Sequence, residues 1–324
     1  MDGKPDLILA NYYSNTLSVF ANTTTQGATT LNFSTPQTLT TGANPWAAVS
    51  ADINGDGKPD LLVTNFYDGS ASVFLNNSTP GTSTPTFSAP QTITIGPFVR
   101  SAVFSDLNGD GKPDLVISYS SSNLVNVLLN TTAPGSMVAT FATHQTFPVG
   151  TFPYAIAIAD INGDGRPDVV ASNYGDNTVS VLLNTTGPGA LTPTFGSQQV
   201  FAVGTFPYSL AVADLDSDGK PDVVTGNFGG SGAGPSITVL LNTTVAGSGV
   251  VNFSALPPIE TSFAPSDVTL ADLNADGRLD LIATHAGDTV LSTFLNAQFR
   301  TEFLGSPATG TIVHDYIFSN GFEP

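Results

Sequence analysis

Aspartate, asparagine and glycine recur at fixed positions in five nine-residue segments of this chain. Each segment reads Asp-x-Asn/Asp-x-Asp-Gly-x-x-Asp, and the five occupy residues 52–60, 106–114, 160–168, 214–222 and 272–280. Their opening aspartates are 54, 54, 54 and 58 residues apart, and Asp2 to Asp6 match the second half of a sixth, truncated copy. A repeat of this length is typical of stacked or ring-closed supersecondary units, and the acidic segment predicts one metal site in each unit.

The residue types in this segment suit a hard cation that takes six to eight oxygen ligands. Positions one, three, five and nine offer side-chain oxygens, position seven offers its backbone carbonyl, and the glycine at position six can turn the chain with positive φ. The predicted ligands are Asp52, Asn54, Asp56, Lys58, Asp60; Asp106, Asn108, Asp110, Lys112, Asp114; Asp160, Asn162, Asp164, Arg166, Asp168; Asp214, Asp216, Asp218, Lys220, Asp222; Asp272, Asn274, Asp276, Arg278, Asp280; and Asp2 and Asp6 of the truncated copy.

Oxygen ligands without cysteine or paired histidine favour Ca²⁺ over zinc or copper, and magnesium would require a stiffer octahedron with more water. The predicted cofactor is therefore Ca²⁺ in five complete loops, with the sixth loop truncated. The alternative is that these segments are Asx turns that join strands.

The charge of the chain is concentrated in these segments. They hold 18 of the 26 acidic residues and six of the eight basic ones, and so carry −12 of the net charge of −18. Because no basic stripe remains, neither nucleic acid nor an anionic membrane is expected as a partner. No apolar run approaches the length of a transmembrane helix, so membrane insertion is not expected.

Short apolar runs punctuated by Gly, Pro, Asn, Ser and Thr predict strands rather than helices. In the fourth repeat the runs are residues 155–159, 169–171, 179–183 and 199–203. Four strands repeated about every 54 residues predict an all-β fold, a β-propeller of four-stranded blades with six repeats visible. The predicted domain spans residues 1–303, with blades near 2–41, 45–96, 98–149, 152–203, 206–258 and 264–303.

The chain begins inside a metal loop, so the first repeat lacks the strand that precedes its loop. Either Gly310 to Phe318 supplies that strand and closes the ring, or the sequence is a piece of a longer protein, which the break within the motif favours. Residues 304–324 are thus expected to be a closing strand or a sorting tail. No signal peptide is present in this sequence, and its absence does not indicate a compartment.

The stretch from Val149 to Tyr154, followed by the loop at 159–168 and by residues 172–175 and 179–184, resembles FG-GAP or VCBS repeats. These repeats form the calcium-loop blades of integrin α-subunit propellers and of many secreted bacterial proteins. The resemblance covers Asp2 to about Phe299. It implies an intact propeller of six or seven blades, a metal loop between the first and second strands of each blade, and ligands at the opposite end or between neighbouring blades.

Aromatic and polar side chains are expected at that opposite end. The position six residues before each complete loop and the turn after the second strand together give the candidate ligand-binding residues Trp46, Arg100, Tyr154, Tyr208, Asn65, Asn173, Asn227 and His285. Aromatic faces beside amide groups suit sugars, whose C–H faces stack while their hydroxyls need donors and acceptors. The alternative is architectural: large residues fill the wedge between blades, and asparagine serves turns.

Asn-x-Ser/Thr triplets recur at the end of the predicted third strand, at Asn22, Asn76, Asn130, Asn184 and Asn242. They would accept glycans on exposed turns in a eukaryotic secreted protein, but polar turn chemistry is the favoured interpretation.

The sequence contains no recognisable catalytic constellation. It has no cysteine, its three histidines are scattered, and the acids outside the loops are too dispersed to nominate a pair. The predicted function is a non-enzymatic, monomeric, extracellular or cell-surface module that binds calcium and recognises glycans or surface proteins. The alternatives are a calcium-dependent enzyme acting on polysaccharides or phospholipids, and a structural spacer of a larger secreted protein.

Overall fold

The protein is built from strands and turns. A computed structural model describes residues 3–79, 82, 84–230, 232–287, 290–296 and 308–311, and these residues contain 24 strands and no helix. Consequently, within those residues there is no helix long and apolar enough to cross a membrane.

The strands follow one another in antiparallel order within each repeat. The first three sheets contain β1 (Leu7–Asn11), β2 (Thr16–Phe20) and β3 (Gln37–Thr40); β4 (Pro45–Ala51), β5 (Asp60–Asn65), β6 (Ser70–Phe74) and β7 (Gln91–Thr94); and β8 (Val99–Ser105), β9 (Asp114–Tyr119), β10 (Leu124–Leu128) and β11 (Gln145–Pro148). The last three contain β12 (Pro153–Ala159), β13 (Asp168–Asn173), β14 (Thr178–Leu182) and β15 (Gln199–Ala202); β16 (Pro207–Ala213), β17 (Asp222–Asn227), β18 (Ser236–Asn242), β19 (Phe253–Ala255) and β20 (Ile259–Glu260); and β21 (Pro265–Ala271), β22 (Asp280–His285), β23 (Val290–Phe294) and β24 (Ala308–Thr311).

The second strand of a complete repeat is the most deeply buried. All six residues of β5, β9, β13 and β17 are buried, and the four residues between the first aspartate and the last residue are small or apolar, as in Asp-Val-Val-Ala-Ser-Asn of β13. The fourth strands β7 and β15 instead alternate between half-buried and exposed residues. A strand packed on both faces needs no polar alternation, whereas an edge strand does.

The chain divides into two compact units. The first comprises Met1–Ser121, Asn126–Gln145 and Pro188–Leu191, and the second comprises Ser122–Val125, Thr146–Gly187 and Thr192–Pro324. In the first unit, apolar side chains pack between the first and second sheets and between the second and third. In the second unit, they pack between the fourth and fifth sheets and between the fifth and sixth. Burial of these faces between successive repeats is the main stabilising contribution.

The sixth sheet takes its fourth strand from Ala308–Thr311. Gly310 and Thr311 pair with Leu291 and Val290 of β23. These two residues were predicted to belong to a strand that could close the first repeat, but they pair within the sixth sheet instead. The rest of that predicted segment, residues 312–318, lies outside the described residues.

Candidate functional site

The five complete acidic loops each connect the first and second strands of a sheet. In the fourth repeat, Asp160 Oδ1 accepts a hydrogen bond from the amide of Asp164 at 3.0 Å, and Oδ2 accepts one from Gly165 at 2.7 Å. Asn162 Oδ1 accepts from the same Asp164 amide at 3.2 Å, and Asp164 Oδ1 accepts from the amide of Arg166 at 3.0 Å. The backbone therefore folds around the side-chain oxygens of positions one, three and five.

The other four complete loops repeat these bonds between the same atoms, with lengths from 2.8 to 3.2 Å. In the fifth repeat, where position three is Asp216, one carboxylate oxygen each from Asp214, Asp216 and Asp218 lies within 4.8 Å of the others. This group of three carboxylates could hold a metal ion, and its all-oxygen donor set fits a hard divalent cation.

The ninth-position aspartates are held differently from the other predicted ligands. Asp168 is fully buried; its Oδ2 accepts from the Ile161 amide at 2.9 Å, and its Oδ1 accepts from the Asn184 amide at 2.7 Å. The same two bonds recur at Asp60, Asp114, Asp222 and Asp280. These carboxylates anchor the loop to the end of the third strand, and their role as direct metal ligands stays a prediction.

Burial makes the charged form of these anchoring carboxylates costly. It raises the pKa of Asp168 to about 7 and those of Asp114 and Asp222 to about 6, against the lowering effect of the two amide donors. Burial also raises the pKa of Asp60. A divalent cation close to these groups would favour their charged form.

Basic side chains at position seven lie against the outer oxygen of the fifth-position aspartate. Lys58 Nζ is 3.4 Å from Asp56 Oδ2, and Lys220 Nζ is 3.3 Å from Asp218 Oδ2. The Arg166 guanidinium makes a 2.6 Å contact with Asp164 Oδ2 in the same way. These pairs at the surface reduce repulsion within the loop without contributing much stability.

The truncated copy is described only in part. Asp2 lies outside the described residues. Asp6, at the ninth position, accepts a hydrogen bond from the Asn22 amide at 2.8 Å, so it makes one of the two anchoring bonds of the complete loops.

At the opposite end of the sheets, four of the candidate residues and the equivalent residue of the sixth repeat lie in β-bulges. The pairing of the first and second strands shifts register between Pro45 and Ala48, between Val99 and Ser101, and at the same place in the three later repeats. The residues at these irregularities are Trp46, Arg100, Tyr154, Tyr208 and Ser266. A bulge bends the strand and re-aims the side chain that it carries.

The residue that enters this strand is also unusual. Asn44, Phe98, Phe152 and Phe206 have φ between 52° and 65°. Left-handed backbone is tolerated by asparagine but is strained for phenylalanine. Hydrogen bonds to the turn after the second strand hold this conformation; for example, the Phe98 carbonyl accepts from the Ser120 amide at 3.0 Å.

In the first unit, these features create a cluster of aromatic rings around an arginine. The Arg100 guanidinium carbon lies 4.5 Å from the centre of the Trp46 ring and 4.7 Å from that of Phe66, within cation–π distance. Six aromatic residues join through ring contacts with centroids 4.9 to 5.9 Å apart: Tyr12, Tyr13, Trp46, Phe66, Tyr67 and Phe98. We call these six residues and Arg100 the Trp46 cluster.

In the second unit, Tyr174 is stacked between two rings, Tyr154 at 4.5 Å and Phe206 at 4.7 Å. Tyr208 contacts Tyr154 at 5.1 Å and Phe228 at 5.9 Å. We call these five residues the Tyr174 cluster. Candidate residues from neighbouring repeats thus meet in both units.

The candidate asparagines lie below the surface. Asn65, Asn173 and Asn227 are fully buried at the last position of the second strand. The Asn173 amide donates to Thr178 Oγ1 at 2.9 Å and to Ser180 Oγ at 2.7 Å, and its oxygen accepts from the Gly150 amide at 3.0 Å. This burial supports the architectural alternative. The asparagine is used here because its side chain hydrogen bonds to the next strand, and not because a turn requires positive φ.

The sixth repeat has His285 where these asparagines stand. Its Nδ1 lies 3.0 Å from the Phe263 carbonyl oxygen and its Nε2 lies 2.8 Å from Ser292 Oγ. In the third repeat Tyr119 takes the same place, and its hydroxyl accepts from the Asn126 amide at 2.8 Å and donates to the Ile95 carbonyl. The position therefore requires a side chain that hydrogen bonds across the sheet.

The most exposed rings of the Trp46 cluster are absent from the candidate residues. Tyr13 is 74% exposed and Tyr67 is 57% exposed. Each follows directly after another aromatic residue in the turn after the second strand. The pairs Tyr12-Tyr13 and Phe66-Tyr67 were therefore the sequence feature from which these exposed rings could have been predicted.

The arrangement defines the class of protein. Repeated antiparallel sheets, most of four strands, that pack face to face within each unit and carry an acidic loop in each complete repeat constitute a β-propeller fold. The chain belongs to the FG-GAP-like repeat family, whose model matches residues 1–63, 52–117, 106–171 and 160–225. The predicted fold class and family are thereby confirmed.

Solved structures share the fold at low sequence identity. A crystal structure of a protein from Lactobacillus plantarum is 13% identical with a TM-score of 0.58, and covers 96% of this chain and 82% of that one. BBS1N, crystallised in complex with ARL6DN, is 11% identical with a TM-score of 0.57, and covers 92% of this chain and 76% of that one. Sqt1 from Chaetomium thermophilum is 15% identical with a TM-score of 0.54, and covers 89% and 65%. No curated protein matches the sequence.

Proposed function

We propose that this protein is a calcium-loaded binding module that works outside the cell and recognises glycans or surface proteins. The observation that carries the proposal is the repetition of one loop geometry in five repeats, with oxygens of positions one, three and five drawn together by the same four hydrogen bonds. Carboxylates so close together repel one another in the absence of a cation.

Calcium fits this donor set better than the other common divalent cations. The ligands are oxygens of aspartate, asparagine and a backbone carbonyl, on a loop that is partly exposed and able to adjust to seven or eight ligands. Extracellular modules of this kind bind with dissociation constants on the order of 10⁻⁴ to 10⁻³ M, which suits calcium concentrations outside the cell. The absence of cysteine in the sequence leaves sheet packing and metal as sources of stability.

The aromatic ends of the sheets support the ligand role. The Trp46 cluster presents Tyr13 and Tyr67 to solvent, next to rings that are fixed by their neighbours. Rigid, exposed aromatic faces lose little entropy on binding and stack on the C–H faces of sugars. The bulges and the strained residues Phe98, Phe152 and Phe206 lie at the same end, and such irregularities concentrate at binding sites.

The proposal includes a second class of ligand, a surface protein, beside glycans. The structurally similar BBS1N was crystallised with a protein partner, which supports a propeller of this fold as a docking platform. A structural spacer without a ligand of its own would use the same metal loops but no exposed aromatic rings.

Calcium binding is tested by calorimetry and by melting of the whole chain in millimolar calcium and in EGTA. At a calcium concentration about tenfold above the dissociation constant, each filled site stabilises the fold by about 1.4 kcal/mol, so chelation is expected to lower the melting temperature clearly. Asp164→Ala should lower the stoichiometry by one. The matched control is Asp176→Asn, which replaces an exposed aspartate outside the loops and should leave the calcium stoichiometry unchanged. An unchanged melting curve and no binding heat would reject calcium.

The ligand class is tested with a glycan array probed in calcium and again after chelation. Binding that disappears in EGTA, from protein that remains folded at the assay temperature, is the expected result. If folded, calcium-loaded protein binds no glycan, the glycan form is rejected in favour of a protein ligand or a spacer.

A further inference from the structure

The third-position asparagine is buried in the loops of the second, third and fourth repeats and exposed in the sixth. Asn54, Asn108 and Asn162 are 3 to 5% exposed, whereas Asn274 is exposed, as is Asp216 in the fifth repeat. A buried amide needs partners for its polar atoms. The partners of the three buried asparagines lie partly in the following repeat.

Asn54 shows the arrangement. Its Oδ1 accepts from the Asp56 amide within its own loop at 3.2 Å. Its Nδ2 donates to the Ser136 carbonyl at 3.1 Å, and its backbone carbonyl accepts from the Gly135 amide at 2.7 Å. Ser136 and Gly135 belong to the hairpin of the third repeat, residues 130–141, which the Asn130–Phe141 bridge closes.

The same two bonds recur in two further loops. Asn108 Nδ2 donates to the Ala190 carbonyl at 3.0 Å, and its carbonyl accepts from the Gly189 amide at 2.6 Å. Asn162 Nδ2 donates to the Ser248 carbonyl at 3.1 Å, and its carbonyl accepts from the Gly247 amide at 2.6 Å. Each glycine has positive φ, so the turn that presents its amide requires that residue type.

The asparagine of the Asn-x-Ser/Thr triplet adds a third bond at the same place. Asn130 Nδ2 donates to the Ile53 carbonyl at 2.9 Å, and Asn242 Nδ2 donates to the Ile161 carbonyl at 2.8 Å. The amide of Asn130 also donates to Asp114 Oδ1 of its own repeat's loop. One residue thus connects position two of one acidic loop with position nine of the next.

These bonds link the shape of a loop to the position of the next hairpin. Hydrogen bonds of buried groups are costly to leave unmade, so a loop that loses its fold must release the hairpin or bury unsatisfied groups. We propose that the third-position asparagines Asn54, Asn108 and Asn162 couple cation occupancy of one loop to docking of the following repeat's hairpin. The coupling rests on the proposed cation binding, which would fix Oδ1 of the same side chain whose Nδ2 holds the hairpin.

Asparagine and aspartate at position three differ in one respect that matters here: only asparagine has a side-chain N–H to donate. An aspartate at position three offers oxygens to a cation but has no N–H for the hairpin carbonyl. Asp216 is such a residue, and its exposed carboxylate belongs to the three-carboxylate group of the fifth repeat. Under the proposal, position three therefore serves two purposes at Asn54, Asn108 and Asn162, and cation binding alone at Asp216. Asn274 is exposed and its amide bonds Asp276 in its own loop.

The hairpin has one more attachment, so losing the asparagine bond should loosen it rather than detach it. Gln91 Oε1 accepts from the Ala139 amide at 2.9 Å, and its Nε2 donates to the Ala139 carbonyl. Gln199 bonds Val251 and Gly249 in the same way.

Hydrogen exchange by mass spectrometry on the full chain tests the coupling. In Asn54→Asp, exchange of the hairpin at residues 130–141 should be about tenfold faster, the change expected on losing one hydrogen bond of ordinary strength, while calcium stoichiometry stays the same. The matched control is Asn274→Asp, the same exchange at an exposed asparagine whose amide bonds Asp276 in its own loop. It should leave hairpin exchange unchanged. Unchanged hairpin exchange in Asn54→Asp would overturn the proposal.

A second variant reports on the cation directly. Asp56→Ala removes a predicted ligand that is exposed, and in calcium its 130–141 hairpin should exchange at the rate that wild type shows in EGTA, while the hairpin after residue 242 keeps its slow rate. Calcium bound in calorimetry with wild-type hairpin exchange unaffected by chelation would overturn the coupling alone. No calcium bound by wild type would reject the proposed function as well.

Discussion

The two ends of each sheet follow different rules. At the loop end, five repeats use the same residue types, the same hydrogen bonds and nearly the same distances. At the aromatic end, the backbone repeats its bulge, but the side chain it carries changes from Trp46 to Arg100, to two tyrosines and to Ser266. Cation ligation requires the same atoms every time, whereas a surface that contacts one asymmetric ligand needs different groups at different places.

The largest effect is expected at a ninth-position aspartate, which the structure makes an anchor of the loop. Asp168→Ala leaves the buried amides of Ile161 and Asn184 without acceptors and should lower the free energy of unfolding by roughly 2–5 kcal/mol, measured by denaturant titration in EGTA. Asp164→Ala is the comparison: its carboxylate bonds only groups of its own, partly exposed loop, so its loss should cost much less than that of Asp168 in EGTA and more when calcium is present. Equal effects of both variants in EGTA would remove the distinction between anchor and ligand.

A smaller loss of stability is expected when the buried asparagines at the aromatic end are replaced. Asn173→Ala removes the shorter of the two hydrogen bonds that the Gly150 amide donates, leaving only the 3.3 Å bond to Ser180 Oγ, and also removes two bonds to the next strand, so the free energy of unfolding should fall by about 1–3 kcal/mol. His285→Asn exchanges two of the three residue types found at this position and serves as the control, with an expected change below about 1 kcal/mol. If Asn173→Ala proved as mild as His285→Asn while abolishing ligand capture, the asparagine would be a ligand contact instead.

The smallest effect on stability is expected at an exposed ring. Tyr67→Ala should change the melting temperature little, because the ring is more than half exposed, but it should weaken ligand capture on a glycan array or by a protein ligand. Trp46→Ala is the contrast: its ring packs on Tyr12, Phe66 and Arg100, so it should reduce both stability and capture. Full capture by folded Tyr67→Ala would argue against this end as the binding surface.

Much of the fold was predictable because the repeat is explicit in the sequence. The runs at 155–159, 169–171, 179–183 and 199–203 correspond to β12 to β15, since alternation and glycine placement are local signals. The positions of the loop oxygens were predictable for the same reason. The second role of Asn54 was not, because its partners Gly135 and Ser136 lie about 80 residues away and nothing local distinguishes a buried asparagine from an exposed one.

The aromatic end was predictable in composition but only partly in exposure. Counting from the loop located Trp46, Arg100, Tyr154 and Tyr208, but the burial of Asn65, Asn173 and Asn227 depends on hydroxyls in the next strand. Tyr13 and Tyr67 lie in the turns after Asn11 and Asn65, where their exposure depends on the path of the turn and on the rings that pack around Tyr12 and Phe66, and neither is visible in the local sequence.

The bond from Asn130 to the Ile53 carbonyl bears on how the protein can be produced. Its triplet Asn-Thr-Thr is an acceptor for oligosaccharyl transfer, which acts on the nascent chain before the repeats have packed. A sugar on Nδ2 would occupy the donor that joins two repeats and would stand between buried surfaces, so the modified chain could not complete this joint. Expression through a eukaryotic secretory route should therefore give retained, unfolded product. Removing the four buried acceptor triplets by alanine at Ser78, Thr132, Thr186 and Thr244 should restore secretion at some cost in stability.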